Sequence, residues 1–334
     1  MSGHGTLIPD LRIRNFRCFD DLHIPVLRQV NLIVGKNRVG KSSVLEALRL
    51  YASFTAVDVM SELVTDRHEH LQAGGMAEAV RSLFFLRSFD NPITFGPETA
   101  PIRLEIRHFT RPTDSSPPGW VLSVSMGASL VRKVHLGDQL HETEVTPSAR
   151  GLPYQFVGPH GMAPDLIARL WDSVHLTPLE DLLTDSLRLV APTIERVSLR
   201  ASWRVPFVRV KGESAPFPLR RMGDGLFRIF GIALAMTCAK DGLLLIDEFE
   251  NGIHYSVHSE LWKFTLQVSR QLNVQVFATT HSWDCVKAFQ SALTGPNAEL
   301  GMLTRLEFAN GRIRASQFEE SELSIATRES IEVR

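Results

Sequence analysis

The chain has 334 residues, of which 44% are hydrophobic and 22% charged, and its formal net charge is −1. This length suits one large domain or two ordinary ones, and the apolar share supports a sizeable core, which excludes global disorder. The near-zero charge removes any whole-chain electrostatic case for nucleic acid or a membrane surface.

Leu11 to Phe19 alternates apolar and polar side chains and predicts a half-buried strand. Asp20-Asp21 marks a turn, Leu22 to Val26 a second strand, and Val30 to Val34 a third, fully apolar one. Directly after it, Gly35-Lys36-Asn37-Arg38-Val39-Gly40-Lys41-Ser42 fits the phosphate-binding pattern G-x-x-x-x-G-K-[ST]. Ser43 to Leu50 then reads as a helix. Glycines let such a loop curl so that its N–H groups face phosphate oxygens, and the helix N-terminus adds a favourable dipole. In this pattern Lys41 reaches the β- and γ-phosphates and Ser42 ligates Mg²⁺.

Residues 57–90 read as mostly helical, broken at Gly74-Gly75. Ile102 to Phe109 alternates strictly and predicts a strand, Arg111 to Gly119 a Pro/Ser loop, and 120–126 with 130–136 a further strand pair. Residues 147–164, rich in Pro and Gly, are expected to be an irregular connection. Leu166 to Arg188 is helical, with Pro178 at a helix start. Strands follow at 197–203 and 206–210, then a strongly apolar helix from Leu226 to Ala239. A buried strand (242–246), a helix (257–272) and another buried strand (274–278) alternate, which indicates a parallel sheet. Asn310-Gly311 joins two strands, 303–308 and 313–318, as a hairpin.

The strand Leu243-Leu244-Leu245-Ile246 delivers Asp247-Glu248 at its C-terminal end, where open α/β sheets bind ligands. Asp247 suits Mg²⁺, and Glu248 suits the orienting or activating of an attacking water. Phe277-Ala278 runs into Thr279-Thr280-His281-Ser282, so His281 stands at the end of the next apolar strand, within reach of a γ-phosphate or the lytic water.

Together these motifs resemble the ABC-type ATPase superfamily, in the branch of the RecF, SMC and OLD (overcoming lysogenization defect) ATPases. The resemblance rests on Ile13 to Phe19 with Gly35-Lys36-Asn37 and Gly40-Lys41-Ser42-Ser43, on Leu245 to His254, and on Thr279 to Ser282; it covers about residues 1–56 and 190–334. It implies an α/β P-loop NTPase, an ABC-ATPase head with a mixed central sheet, an antiparallel β lobe and a helical lobe. The head would be divided into an N-terminal part (1–56), an inserted region (57–189) and a C-terminal part (190–334). It also implies an Mg²⁺-dependent ATPase in which ATP is held by Gly35, Lys36, Asn37, Arg38, Val39, Gly40, Lys41, Ser42 and Ser43. The metal would be held by Ser42 and Asp247, with Glu248, His281 and Lys41 as catalytic residues. In such a machine two heads sandwich the nucleotide, and the signature motif of one caps the γ-phosphate of the other. Gly223-Asp224-Gly225 occupies the signature place, but Arg220, Arg221 and Met222 stand where the family has Ser. Either an arginine acts like a finger on the γ-phosphate, or hydrolysis is weak or partner-dependent. The family's Q-loop is not identifiable; Gln72 lies in a plausible region. About fifty residues follow His281, fewer than the ~100 of a separate nuclease domain.

The resemblance therefore implies a homodimer or higher oligomer acting in prokaryotic DNA metabolism or anti-phage defence through a separately encoded nuclease or toxin. Rivals are an ABC transporter subunit, disfavoured by the signature, and a non-hydrolysing nucleotide-dependent scaffold, disfavoured by Glu248. Arg188, Arg196, Arg200, Arg204, Arg209, Lys211, Arg220, Arg221 and Arg228, with Trp203 and Phe207, are either a DNA-binding surface or solvated strand faces. The acidic tail with Glu319, Glu320, Glu322, Glu329 and Glu332 reads as a solvated helix face, and His68-Glu69-His70 as surface residues. The three cysteines, Cys18, Cys238 and Cys285, form neither a disulfide framework nor a zinc pattern. No apolar run is long enough to span a bilayer and the N-terminus lacks a signal-peptide core, so a soluble, cytoplasmic protein is expected, with no membrane partner.

Overall fold

The apolar runs that carry the motifs lie side by side in one sheet. The computed structural model describes residues 6–67, 76–109, 119–136, 140–145, 151–200 and 204–329. In it β3 (Val30–Gly35) pairs in parallel with β14 (Gln275–Thr279), and β14 with β13 (Leu243–Ile246). On the far side of β3, β15 (Gly301–Ala309) is also parallel, and β16 (Arg312–Phe318) turns back antiparallel across Asn310-Gly311. The opposite edge is β9 (Tyr154–Val157), parallel to β13. The order β16-β15-β3-β14-β13-β9 makes a mixed central sheet.

Every residue of β3, β13 and β14 is buried. The reason is that both faces of the sheet are covered, as a parallel sheet requires. Val30, Leu32, Leu244, Ile246, Val276 and Ala278 face α6 (Asp224–Cys238), α7 (His258–Leu272) and α8 (Trp283–Ala292), where Phe230, Trp262 and Phe289 fill the interface. Phe249 stacks on Trp262 with ring centroids 3.8 Å apart. Ile33, Leu243, Leu245 and Phe277 point the other way, toward α1 (Lys41–Ala52) and the second sheet.

That second sheet has seven antiparallel strands in the order β2-β1-β4-β5-β6-β7-β8. It comprises β1 (Leu11–Phe16), β2 (Phe19–Ile24), β4 (Ile93–Gly96), β5 (Ile102–Phe109), β6 (Gly119–Met126), β7 (Ser129–Leu136) and β8 (Leu140–Val145). Beside α1 run α2 (Val57–Asp66) and the short α3 (Met76–Arg81). A helical lobe of α4 (Pro164–Val174) and α5 (Leu179–Arg188) packs on α6 beside a small sheet of β10 (Ile194–Arg200), β11 (Val205–Val210) and β12 (Phe217–Pro218). A last helix, α9 (Glu320–Arg328), starts with a Glu319/Glu322 capping box. Mixed sheet, antiparallel lobe and helical lobe are the expected architecture.

Several local expectations change. Residues 147–164 are not wholly irregular, because β9 adds the sixth strand of the central sheet there. Helix does not continue to residue 90: Phe84 bridges Phe16, and Phe85–Arg87 is a 3-10 turn. Strands β4 and β8 and helix α8 had no separate expectation. Gln72, Gly74-Gly75, His68-Glu69-His70, Trp203 and Glu332 lie outside the described residues.

Candidate functional site

The loop after β3 is shaped by close packing. Gly35 (φ 146°) leaves no room for a side chain against the Leu306 carbonyl, and at Gly40 (φ 88°) an added Cβ would lie 2.5 Å from Cys18 Sγ and 2.6 Å from the Phe19 ring. The turn between β1 and β2 therefore props the loop from behind. Val39 is buried as its anchor, while Lys36, Asn37 and Arg38 are exposed. Helix α1 opens at Lys41 with no side-chain cap and no acidic residue in its first turn, so its N–H groups remain available to an anion. The Lys41 Nζ donates to the carbonyls of Gly35 (2.7 Å) and Lys36 (3.1 Å) and lies across the loop. Burial pulls its pKa down to about 8, against the opposing pull of Asp247, Glu248 and Glu250.

At the end of β13 the Asp247 carboxylate accepts a 2.5 Å hydrogen bond from Thr279 Oγ1, and the same oxygen accepts from the Glu248 amide at 2.9 Å. One threonine thus ties the two acidic residues to the neighbouring strand. Glu248 itself sits at φ 52°, an uncommon conformation that turns its half-buried side chain out of the strand direction. Its Oε2 accepts from Asn251 Nδ2 at 3.4 Å. The Glu250 carboxylate accepts from the His281 amide at 2.9 Å, so the loops after β13 and β14 are cross-linked.

The loop, Asp247 and His281 line adjoining cavities, and Glu248 lines neither. One, of about 570 Å³, is lined by Asn37, Arg38, Gly40, Lys41, Ser42, Ser43 and His281, together with Arg17, Cys18, Arg67, Ser82, Phe84, Leu86 and Arg87. A second, of about 640 Å³, brings Ser42 together with Asp247 and His160. The hydroxyl and carboxylate oxygens of Ser42 and Asp247 are hard donors of the kind Mg²⁺ takes. Among the described residues no group of three His, Cys, Asp or Glu could hold a metal by itself.

Gly223-Asp224-Gly225 is elsewhere. Asp224 lines a third cavity, of about 370 Å³, with Arg220, Arg228, Asn251 and His160. Gly225 is required there, since an added Cβ would lie 2.7 Å from the Gly252 carbonyl. Arg220 pairs with Asp224 and lies over the Phe227 ring, and Arg221 lies over Phe217. Within one chain the signature and the phosphate loop thus belong to different cavities.

Three functional features were not read from the sequence. Arg228, on α6, donates to the carbonyls of Gly158, Asp247 (2.8 Å) and Glu248 (3.0 Å), stapling the signature helix to the acidic loop; burial lowers its pKa to about 10. His160 lines both the Asp247 cavity and the signature cavity. Glu46 on α1 accepts from Arg17 (3.0 Å) and Arg67 (2.8 Å), which locks the β1–β2 turn to the loop helix. The Gly158-Pro159-His160-Gly161 string was the available signal for His160.

The basic stretch changes meaning in three dimensions. Arg188, Arg196, Arg204, Arg209 and Arg220 pair with Asp185, Glu180, Asp165, Glu195 and Asp224 respectively. Much of its charge is matched inside the chain. Among the described residues no helix is long and apolar enough to cross a membrane.

A glycine-shaped phosphate loop after one strand of a mixed sheet, with a histidine and an acidic pair at the ends of the next two strands, defines a P-loop nucleotide-binding fold. The solved structures agree in fold. The fold matches the SMC head domain from Thermotoga maritima at TM-score 0.50 and 14% identity, over 93% of this chain and 99% of that one. It matches an Smc head domain with an extended coiled coil, bound to the C-terminal domain of ScpA, derived from Pyrococcus furiosus, at TM-score 0.53 and 10% identity, over 97% and 99%. By sequence, residues 80–284 match the family model described as "AAA domain, putative AbiEii toxin, Type IV TA system", and the chain belongs to that family. Residues 7–72 match a second model, "AAA ATPase domain". The chain is also similar to an "ATP/GTP phosphatase" of Helicobacter pylori, 22% identical over 86% of this chain and 88% of that protein.

Proposed function

We propose that this protein is an Mg²⁺-dependent ATPase switch whose heads close on ATP and reopen on hydrolysis. The carrying observation is the convergence, at the C-terminal ends of three adjacent parallel strands, of the Lys41–Ser42 loop, the Asp247–Glu248 pair and His281.

Each group has a task that follows from its setting. The uncapped start of α1 and the loop amides bind the β- and γ-phosphates. Lys41, now bonded only to loop carbonyls, exchanges them for phosphate oxygens and is held charged by them. Ser42 and Asp247 would hold Mg²⁺, which would neutralise charge on the phosphates. Glu248 takes the proton of the attacking water, and His281 hydrogen-bonds the γ-phosphate. The signature Gly223-Asp224-Gly225 lies outside its own chain's phosphate cavity, which supports a site completed by a second copy. The SMC-like fold and the notation of the ATP/GTP phosphatase relative support nucleotide hydrolysis. The family's designation as a putative toxin of a toxin–antitoxin system supports an anti-phage setting; the DNA-metabolic alternative, the OLD branch and a separately encoded effector rest on the motif resemblance alone.

Phosphate release from MgATP tests the reading. The wild type should turn over, Lys41→Ala should not bind nucleotide, and Glu248→Gln should bind it but turn over about 10² to 10⁴ times more slowly. Binding without any phosphate release in the wild type would favour a nucleotide-dependent scaffold instead.

A further inference from the structure

Two residues of the turn Phe85–Arg87, Leu86 and Arg87, line the same cavity as the phosphate loop. Leu86 is 81% exposed although it lines that cavity with Lys41. Leu86 and Arg87 are both left-handed, at φ 52° and 56°. Two consecutive non-glycine residues in that region are costly and persist only where their surroundings fix them. The surroundings do so here. Phe84 bridges Phe16 and packs edge-on to Phe89 with centroids 4.9 Å apart, and the Arg17 amide donates to the Leu83 carbonyl at 2.8 Å. The turn is thus built onto the same β1–β2 corner that props Gly40, so its distance from the phosphate loop is set by the fold.

Resting on the nucleotide-site reading above, we infer that Leu86 is the platform for the base of the bound nucleotide. A triphosphate anchored by Lys41 leaves its nucleoside end for the rest of the cavity. There Leu86 offers an apolar face to a flat ring and Arg87 a planar cation able to stack on it or meet the ribose side. The cavity volume of about 570 Å³ suits a ligand of nucleotide size. No carboxylate lines it among the described residues, its one side-chain amide, Asn37, belongs to the phosphate loop, and the Ser82 hydroxyl donates to the Ala79 carbonyl. Recognition by face rather than by edge treats adenine and guanine alike, so both purine nucleoside triphosphates are accepted.

Binding of ATP, GTP and inorganic tripolyphosphate to wild type, Leu86→Asp and Lys41→Ala tests this. Leu86 is exposed, so its replacement leaves the core intact. Wild type should bind ATP and GTP within a few fold of each other. Leu86→Asp should weaken both about tenfold and leave tripolyphosphate unchanged. Unchanged ATP binding, loss for one purine only, or parallel loss for tripolyphosphate would each overturn the platform. Lys41→Ala should lose all three ligands; if it keeps ATP, the nucleotide-site reading fails rather than the platform.

Discussion

Lys41 is where the sequence and the electrostatics say most about one another. The G-K-S spacing places its ammonium over a loop of carbonyls, and burial leaves it with a pKa of about 8 against an ordinary 10.5. Its folded value is depressed, so between pH 8 and 10.5 the unfolded chain holds the extra proton, and the unliganded protein gains stability as pH rises through that window. Phosphates act in the opposite sense: they favour the charged amine. ATP binding at pH 8.5 should therefore take up protons, read by calorimetry in buffers of different ionisation enthalpy. Lys41→Arg, which stays charged, should lose that uptake while retaining part of the affinity. Lys41, Ser42, Asp247, Glu248 and His281 stood out as candidates because each lies in the short loop, or at the helix start, that follows an apolar strand. Leu86 did not, and Arg228 was read only as one of a basic stretch. An exposed leucine and a helix arginine acquire meaning only from the cavity and the carbonyls that the fold brings to them.

At the scale of elements, α6 and the loop after β13 act as one piece. Arg228 satisfies three carbonyls from two loops, so Arg228→Ala leaves buried acceptors without donors and should cost about 3 kcal/mol, measured by urea unfolding. Gly225 lets the first turn of α6 approach the Gly252 carbonyl. Gly225→Ala must push the two apart, and should slow phosphate release more than tenfold with little change in ATP affinity, a split read from steady-state kinetics and equilibrium binding. Strands β3, β13 and β14 were readable because burial on both faces makes them largely apolar, with Asn31 and Gln275 buried but hydrogen-bonded. β9 was not: Tyr154-Gln155-Phe156-Val157 is a short edge strand, half-covered and set among Pro and Gly, and only its register with β13 makes it a strand. The turn at 85–87 escaped for a related reason, since its left-handed residues carry neither Gly nor Asn to announce it.

For the whole molecule the central claim is that one chain holds two halves of a site and a second copy unites them. The phosphate loop and His281 share one cavity, while Asp224 and its arginines share another. An ATP-dependent dimer follows if the signature face of one copy closes the phosphate cavity of the other, with γ-phosphate as the link. Glu248→Gln should trap that state, because it keeps the binding groups and removes the base. Its solution mass, measured by light scattering with and without MgATP, is the most direct test. A doubling of mass only with MgATP is the result this account requires. A mass indifferent to nucleotide, in a variant shown to bind it, would contradict the ATP-closed dimer.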